Sequence, residues 1–347
     1  MSARLEALFP PDRPVLVLAP MQDVTDLPFW RVMHRYGGPD IYFTEYFRVH
    51  GTSVPEKKIL SCIHANPAGR PIIAQMIGQD IPALVRTAKF LQTLPIAAID
   101  LNLGCPAPIV CRKNSGGGML RDLEQIDRVL AALRQAVTIP FTIKSRIGFF
   151  EENEFDQLLE VYARHPVDMV TIHGRTVKEM YRAEVHYDRI AQAVRRLPCP
   201  VLANGNLLSA RQCGEVARST GARGLMIGRG CIRNPWIWDQ TRAHFTGQAP
   251  FSSTLRELRS YIEVLYHATR PEGLPDKIHV AKMKKYLHFI AQGIGPEDQF
   301  LREIRQSQDS ATFFRVCDTW LDGDAPFEPE AVHGALTNSG NPRTDCY

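Results

Sequence analysis

The chemistry in this chain centres on a thiol. Residues Ile99 to Asp122 read IDLNLGCPAPIVCRKNSGGGMLRD, an apolar run that ends on Asn-Leu-Gly-Cys-Pro and passes through a glycine-rich loop into a helical pattern. Cys105 therefore stands where a strand stops, between Gly104 and Pro106. A structural cysteine usually sits inside an element among apolar neighbours, so a thiol at a strand end reads as chemical. Cys111, six residues on, reads as incidental. The segment SGGG (115–118) lacks the Lys-Ser/Thr of a phosphate loop and is expected to be a flexible segment beside Cys105.

Other strand ends carry polar groups suited to a flat, anionic ligand. Lys144 closes the run FTIKSRIG, and a cation there suits an electron-rich ring that gains negative charge, as a reduced flavin does at its pyrimidine end. The bland alternative is a lysine paired with an acid such as Asp100. His173 and Gln75 can hydrogen-bond a heterocycle, or can equally be satisfied core polars. Two glycine-bearing turns, ANGN (203–206) and IGRG (227–230), are of the kind that hold a phosphate on backbone N–H groups, with Arg229 adding a charged contact.

The elements that must position these groups are legible. Strands are expected at 15–21, 41–47, 72–78, 97–105, 141–148, 168–175, 200–207 and 224–230, with helices between them, for example at 122–136, 154–164, 188–196 and 210–220. Eight alternations over residues 1–247 predict an α/β fold, a (β/α)8 TIM barrel. A doubly wound sheet is the alternative. The barrel is favoured because each run is apolar early and polar at its C-terminal end, the rim on which barrel enzymes carry their chemistry. After a linker at 248–253 the spacing turns helical, with helices expected at 255–266, 277–291, 297–306 and 310–320. A small all-helical domain is thus expected at 254–320, followed by a flexible acidic tail at 321–347.

Composition narrows the class. The chain has 347 residues, 44% hydrophobic and 22% charged, and no apolar run approaches a membrane span. The start, MSARLEALFPPDRP, lacks the apolar centre of an export signal, so a cytoplasmic protein with no membrane partner is expected. Eight cysteines form no CxxC pair, which argues against a zinc or iron–sulfur site, and no metal is expected. Residues 1–249 carry 30 Lys+Arg against 23 Asp+Glu, a net of +7, while residues 321–347 carry 1 against 5, a net of −4. In the helical region, Lys277, His279, Lys282, Lys284, Lys285 and His288 lie in a stretch free of Asp and Glu from 277 to 296, with Tyr286 and Phe289 interleaved. Such a stretch is ordinarily a solvated basic face. Coupled to a flavin-type barrel it suits a grip on a phosphate backbone.

Taken together, LAPMQDVTD, TEYFRVHG, AQMIG, DLNLGCP, the Lys-x-Arg of IKSRIG, the His-Gly-Arg of TIHGRT, ANGN, IGRG and HVAKMKKYL resemble the tRNA-dihydrouridine synthases over residues 14–320, in the family's order. TEYFR, YRAE (181–184) and HVAKMKKYL are most similar to the C-type bacterial branch, which acts on uridine 16 of the D-loop. The resemblance implies an FMN enzyme using NADPH, or NADH, as reductant. It implies that Pro20, Met21, Gln22, Gln75, Lys144, His173, Asn204, Gly205, Asn206, Gly228 and Arg229 hold FMN. Cys105 would be the proton donor to C5 of uracil, and hydride would reach C6 from the flavin. Arg48, Asn102, Arg146, Asp156, Lys282, Lys284, Phe289 and Arg305 would contact tRNA, with the target uridine flipped from its stack. A monomer is expected. Two rivals remain: a flavin dehydrogenase of free pyrimidines, which has no need of the 282–285 basic patch, and an RNA-binding module with a vestigial flavin site, which has no need of Cys105 or Lys144.

Overall fold

The structure, a computed structural model, describes residues 3–331. The described residues form nine parallel strands, eight of which close a barrel: β1 (Val15–Leu18), β2 (Ile41–Phe43), β3 (Phe47–Arg48), β4 (Ile72–Ile77), β5 (Ala98–Leu103), β6 (Phe141–Arg146), β7 (Met169–His173), β8 (Val201–Asn204) and β9 (Gly224–Ile227). The order runs β2-β1-β9-β8-β7-β6-β5-β4, and β2 pairs with β4 to shut the ring. The expected 41–47 strand is two short ones, because Thr44, Glu45 and Tyr46 leave the ladder; β3 pairs only with β4. The other expected strands are present but stop earlier, and their polar C-terminal residues form rim loops.

Helices fill the intervals. Leu123–Ala136 starts where the Asp122 carboxylate accepts from the Gln125 N–H, and Ala210–Thr220 runs from a Ser209 cap to Gly221, whose φ of +70° suits glycine. Alternation along the strands sorts the side chains. Val15, Val17, Ile41, Phe43, Ile73, Ala98, Met169, Leu202 and Met226 belong to one apolar cluster inside the barrel, to which Leu5 and Phe9 add. Leu16, Leu18, Leu101, Ile143, Ile172 and Leu225 join the larger cluster beneath the helices.

The inward period carries the functional pattern. Stepping by two from Ile73, Ala98, Met169 and Leu202 gives Gln75, Asp100 and Asn102, then Thr171 and His173, then Asn204. Thr142, Lys144 and Arg146 do the same on β6. The register aligns them: Gln75 with Asp100, Asp100 with Thr142, Asn102 with Lys144, Lys144 with Thr171, Arg146 with His173, and His173 with Asn204. An apolar floor thus gives way to a polar upper layer.

The helical region comprises Leu255–Ala268, Asp276–Ile290, Gln299–Gln306 and Ser310–Leu321. Its apolar residues belong to the same cluster as the barrel's outer core, so the two parts share one hydrophobic body. Phe29 stacks on Tyr286 at 6.0 Å, and the Tyr261 hydroxyl donates to the Ile232 carbonyl at 2.9 Å. Arg233, fully buried, donates to the carbonyls of Phe289, Ile290 and Gln292 and to those of Glu328, Pro329 and Ala331. The segment 322–331, expected as the start of a flexible tail, is therefore anchored: Phe327 is buried, Pro326 bridges Thr254, and Glu330 pairs with Arg211. Residues 332–347 of that tail lie outside the described residues.

Candidate functional site

The polar layer opens into a cleft at the C-terminal ends of the strands. Pro20, Met21, Gln22, Asn102, Cys105, Lys144, Arg146, His173, Asn204, Gly205, Asn206, Gly228 and Arg229 all line it. Three cations are among them, and no carboxylate is.

Cys105 is held by a chain of buried hydrogen bonds. The Asn102 side-chain oxygen Oδ1 accepts from the backbone N–H of Gly104 at 3.0 Å and of Cys105 at 2.9 Å, which fixes the turn carrying the thiol. Asn102 in turn donates to Gln75 at 2.8 Å, and Gln75 donates to Asp100 at 2.8 Å. The Thr142 hydroxyl donates to the other Asp100 oxygen at 2.6 Å. Complete burial pushes the Asp100 carboxyl up to about 7 against the pull of its two donors. Gln75, expected against the ligand, is instead fully buried below the cleft and acts on Asn102. Asn102, expected to meet RNA, spends its amide on this network.

The glycine segment after Cys105 is a cradle, contrary to the flexible loop expected. Gly116–Arg121 is a buried 3-10 turn, and the Gly117 N–H donates to the Cys105 carbonyl at 3.0 Å. A Cβ on Gly117 would lie 2.9 Å from that carbonyl oxygen, and one on Gly116 would lie 3.0 Å from the Cys105 Cβ. Only glycine lets the chain pass this close. The Cys111 thiol donates to the Cys105 carbonyl at 3.5 Å, a structural contact.

The cleft also holds a cluster of cations. Lys144 donates to Asn204 at 3.3 Å and is attracted by the Asp100 carboxyl below the cleft, so the paired-lysine alternative is met only as an attraction without a direct hydrogen bond. Burial, then repulsion from Arg146, lowers Lys144 to about 8. Arg146 donates to the carbonyls of Gly104, Thr176 and Met180 and lies under the Tyr181 ring. Arg229 covers the same ring at 4.4 Å, and burial lowers it to about 10. Arg175 donates to Asn206 at 3.3 Å and to the His173 Nε2 at 3.4 Å. Burial and the surrounding Arg146, Lys144, Arg175 and Arg229 drive His173 well below its ordinary value, so its imidazole is neutral. The backbone comes close here too: a Cβ on Gly228 would lie 3.4 Å from Ala19, and one on Gly230 would strike the Leu207 carbonyl.

The remaining residues expected at RNA separate into groups. Arg48 is exposed on β3 beside the cleft, over the Tyr46 ring and 3.7 Å from Glu56. Asp156 does not line the cleft; it begins the Phe155–Arg164 helix, accepts from Gln192 and pairs with Arg196. Phe289 is 4% exposed and packs in the core, so it offers no ring to a base. Tyr286 is likewise buried. Lys282 lies 3.9 Å from the buried Asp26 carboxylate of the barrel, and Lys284 donates to the Arg305 carbonyl. Arg305 is exposed and donates to His288. The solvent side of the Asp276–Ile290 helix presents Lys277 and Lys285.

Three residues not singled out as site residues belong here. Tyr46 and Tyr181 line the cleft, and Arg175 stands behind it, bonded to the lining residues His173 and Asn206. Arg175 was legible by period, two residues beyond His173; the tyrosines stand in loops, where no period applies.

Comparison with known proteins follows the same lines. Residues 17–322 match the family model described as Dihydrouridine synthase (Dus). The chain is 32% identical to a tRNA-dihydrouridine(16) synthase of Haemophilus ducreyi, covering 86% of this chain and 92% of that protein. It is 28% identical to a tRNA-dihydrouridine(16) synthase of Shewanella oneidensis, covering 87% and 96%. It is 33% identical to a tRNA-dihydrouridine synthase B of Xanthomonas axonopodis, covering 80% and 84%.

Proposed function

The chain belongs to the dihydrouridine synthase family, and we propose that it reduces the C5–C6 double bond of a D-loop uridine in tRNA, uridine 16, using FMN, with NADPH as reductant and Cys105 as proton donor. The observation that carries the cofactor assignment is the charge balance of the cleft. Lys144, Arg146 and Arg229 line it with no carboxylate among the lining residues, and Arg175 stands behind. Buried cations without counter-charge are costly, and an anionic ligand offsets that cost.

The residues fit such a group. Arg229, Asn206 and the backbone at Gly205 and Gly228 would hold the phosphate. Lys144 would face the ring edge that gains negative charge, with neutral His173 and Asn204 as hydrogen-bonding neighbours. The flavin, when bound, supplies the hydride for C6. The protein's share is to admit an unstacked uracil, exclude water, and present the Cys105 thiol to C5. The Asn102 turn and the glycine cradle do the last of these, since a general acid acts only from a fixed position. Lys277, Lys285, Arg305 and Arg48 are exposed cations suited to tRNA phosphates.

Cys105→Ala tests the reading. The variant is expected to keep its flavin and accept electrons from NADPH, while dihydrouridine formation in unmodified tRNA falls roughly 10²–10⁴-fold. Near-normal turnover would exclude Cys105 as the donor. Mapping dihydrouridine in tRNA from cells lacking the gene distinguishes uridine 16 from other D-loop positions.

A further inference from the structure

We propose that Tyr46 is a positioning residue for Cys105, its hydroxyl holding the sulfur in place and favouring the form that has given up its proton. The inference rests on the reading of Cys105 as the proton donor. Tyr46 lies in the break between β2 and β3 and lines the cleft beside Cys105. Its ring packs against the small buried cluster of Ile77, Cys105 and Ala107, and its hydroxyl is hydrogen-bonded to the Cys105 sulfur.

The break is rigid, which is what a positioning role needs. On one side the Thr44 N–H donates to the Ile73 carbonyl at 3.0 Å, and the Thr44 hydroxyl oxygen accepts from the Gln75 N–H at 3.1 Å. On the other side Phe47 is in register with Met76 on β4. The Arg48 guanidinium lies 5.5 Å from the Tyr46 ring centroid. Gln75 thus reaches the thiol by two routes, through Asn102 to the backbone and through Thr44 to the segment that carries Tyr46.

Burial keeps the Tyr46 hydroxyl protonated, so it can donate throughout the working pH range. The other titratable groups facing Cys105 are Cys111 from its own loop, Lys144 and Arg146 from β6, and Tyr181 from the loop after β7. An O–H donates a stronger hydrogen bond to a thiolate than to a thiol. Tyr46 therefore adds to the two cations in holding the sulfur after proton transfer, whereas a phenylalanine would not.

The test is the pH dependence of iodoacetamide alkylation at Cys105, read by peptide mapping on the flavin-loaded protein, together with turnover on tRNA. Tyr46→Phe keeps the ring and is expected to retain flavin and reduction by NADPH. Its alkylation midpoint is expected about one pH unit higher, and turnover about tenfold lower, with the alkaline limb of the pH–rate profile displaced the same way. Ile77→Val loosens the same packing without removing a hydroxyl and is expected to leave the midpoint in place. An unchanged midpoint in Tyr46→Phe, or an equal displacement in Ile77→Val, overturns the proposal. The alkylation readout does not depend on catalysis. A displaced midpoint alongside normal turnover by Cys105→Ala would uphold the Tyr46 contact and reject the proton-donor reading alone.

Discussion

Removing the charge of Lys144 is expected to make the flavin-free protein more stable while abolishing flavin retention. A lysine lowered from 10.5 to about 8 corresponds to roughly 3 kcal/mol at 1.36 kcal/mol per pH unit. The side chain is partly solvated, which trims this to about 2 kcal/mol. The sign follows from linkage. Between pH 8 and 10.5 the unfolded chain holds the proton and the folded chain does not, so stability rises with pH through that window. Below pH 8 the full penalty applies. Lys144→Met, which also removes the bond to Asn204, is expected to gain about 1–2 kcal/mol at pH 7. At roughly 2.1 cal/mol/K per residue, this chain's length makes that about 1–3 °C in Tm. Calorimetry on flavin-stripped protein at pH 7 and pH 10 measures it, and the gap between variant and wild type should shrink at the higher pH. A variant less stable than wild type at pH 7, or a gap that ignores pH, would refute the view that the cleft holds Lys144 charged at a cost to stability.

Three further outcomes are expected. Gln75→Leu keeps the volume but leaves Asp100 and Asn102 each short of a partner, at about 1–3 kcal/mol per group; the urea midpoint should drop with m unchanged, and a loss under about 1 kcal/mol would mean that the network under Cys105 is slack. Phe289→Ala should cost about 3–5 kcal/mol yet leave the tRNA affinity of the folded fraction intact. Lys277→Ala with Lys285→Ala should do the reverse, keeping stability within about 0.5 kcal/mol and flattening the salt dependence of tRNA binding by about 0.7–0.9 for each phosphate no longer neutralised. Filter binding over a salt series, with the folded fraction measured in parallel, separates the two; the same salt slope in the double variant as in wild type would leave that helix face without a role in RNA binding.

The barrel was legible because its signal is repeated. Apolar runs alternate with helical stretches eight times, seven of the runs end on polar groups, and the inward residues of β4, β5, β7 and β8 change from apolar to polar at the same height. The break at Thr44–Tyr46 was not legible, since TEYF has the composition of a strand and only its tertiary partners show that it leaves the ladder. Gln75 and Asn102 were singled out by type and position, but whether a polar side chain at a strand end meets a ligand or a neighbour depends on a register that no local pattern encodes. The basic helix was legible only in part, for a related reason. Absence of acids marks a charged segment, but the 3.6-residue period decides which members face water. Phe289 and Tyr286 fall on the buried side with Met283 and Val280, while Lys277 and Lys285 do not. The glycines of 115–118 were legible as a special backbone and were assigned to mobility. Their packing under Cys105 shows the opposite use, in which lack of a side chain permits a close approach.

The same economy links the thiol and the cations. Cys105 is fixed by a network in which every identified partner is satisfied: Asn102 by Gln75, Gln75 by Asp100, and Asp100 by Thr142. Lys144, Arg146, Arg175 and Arg229, which line or back the cleft, are arranged with a shortage of negative charge, and the buried Arg175 retains an Nη2 with no partner among the described residues. A fold selected for stability alone would invert the second arrangement by placing a carboxylate among the guanidinium groups, as it does at Arg13 and Arg242 with Asp40. Satisfied donors beneath the thiol and an excess of positive charge in the cleft are what a site needs if one part must hold a proton donor still while another waits for an anionic ligand. The asymmetry therefore predicts that ligand binding stabilises this protein through the β6 and β9 side of the rim, and that the Cys105 side is equally well ordered with the cleft empty or filled.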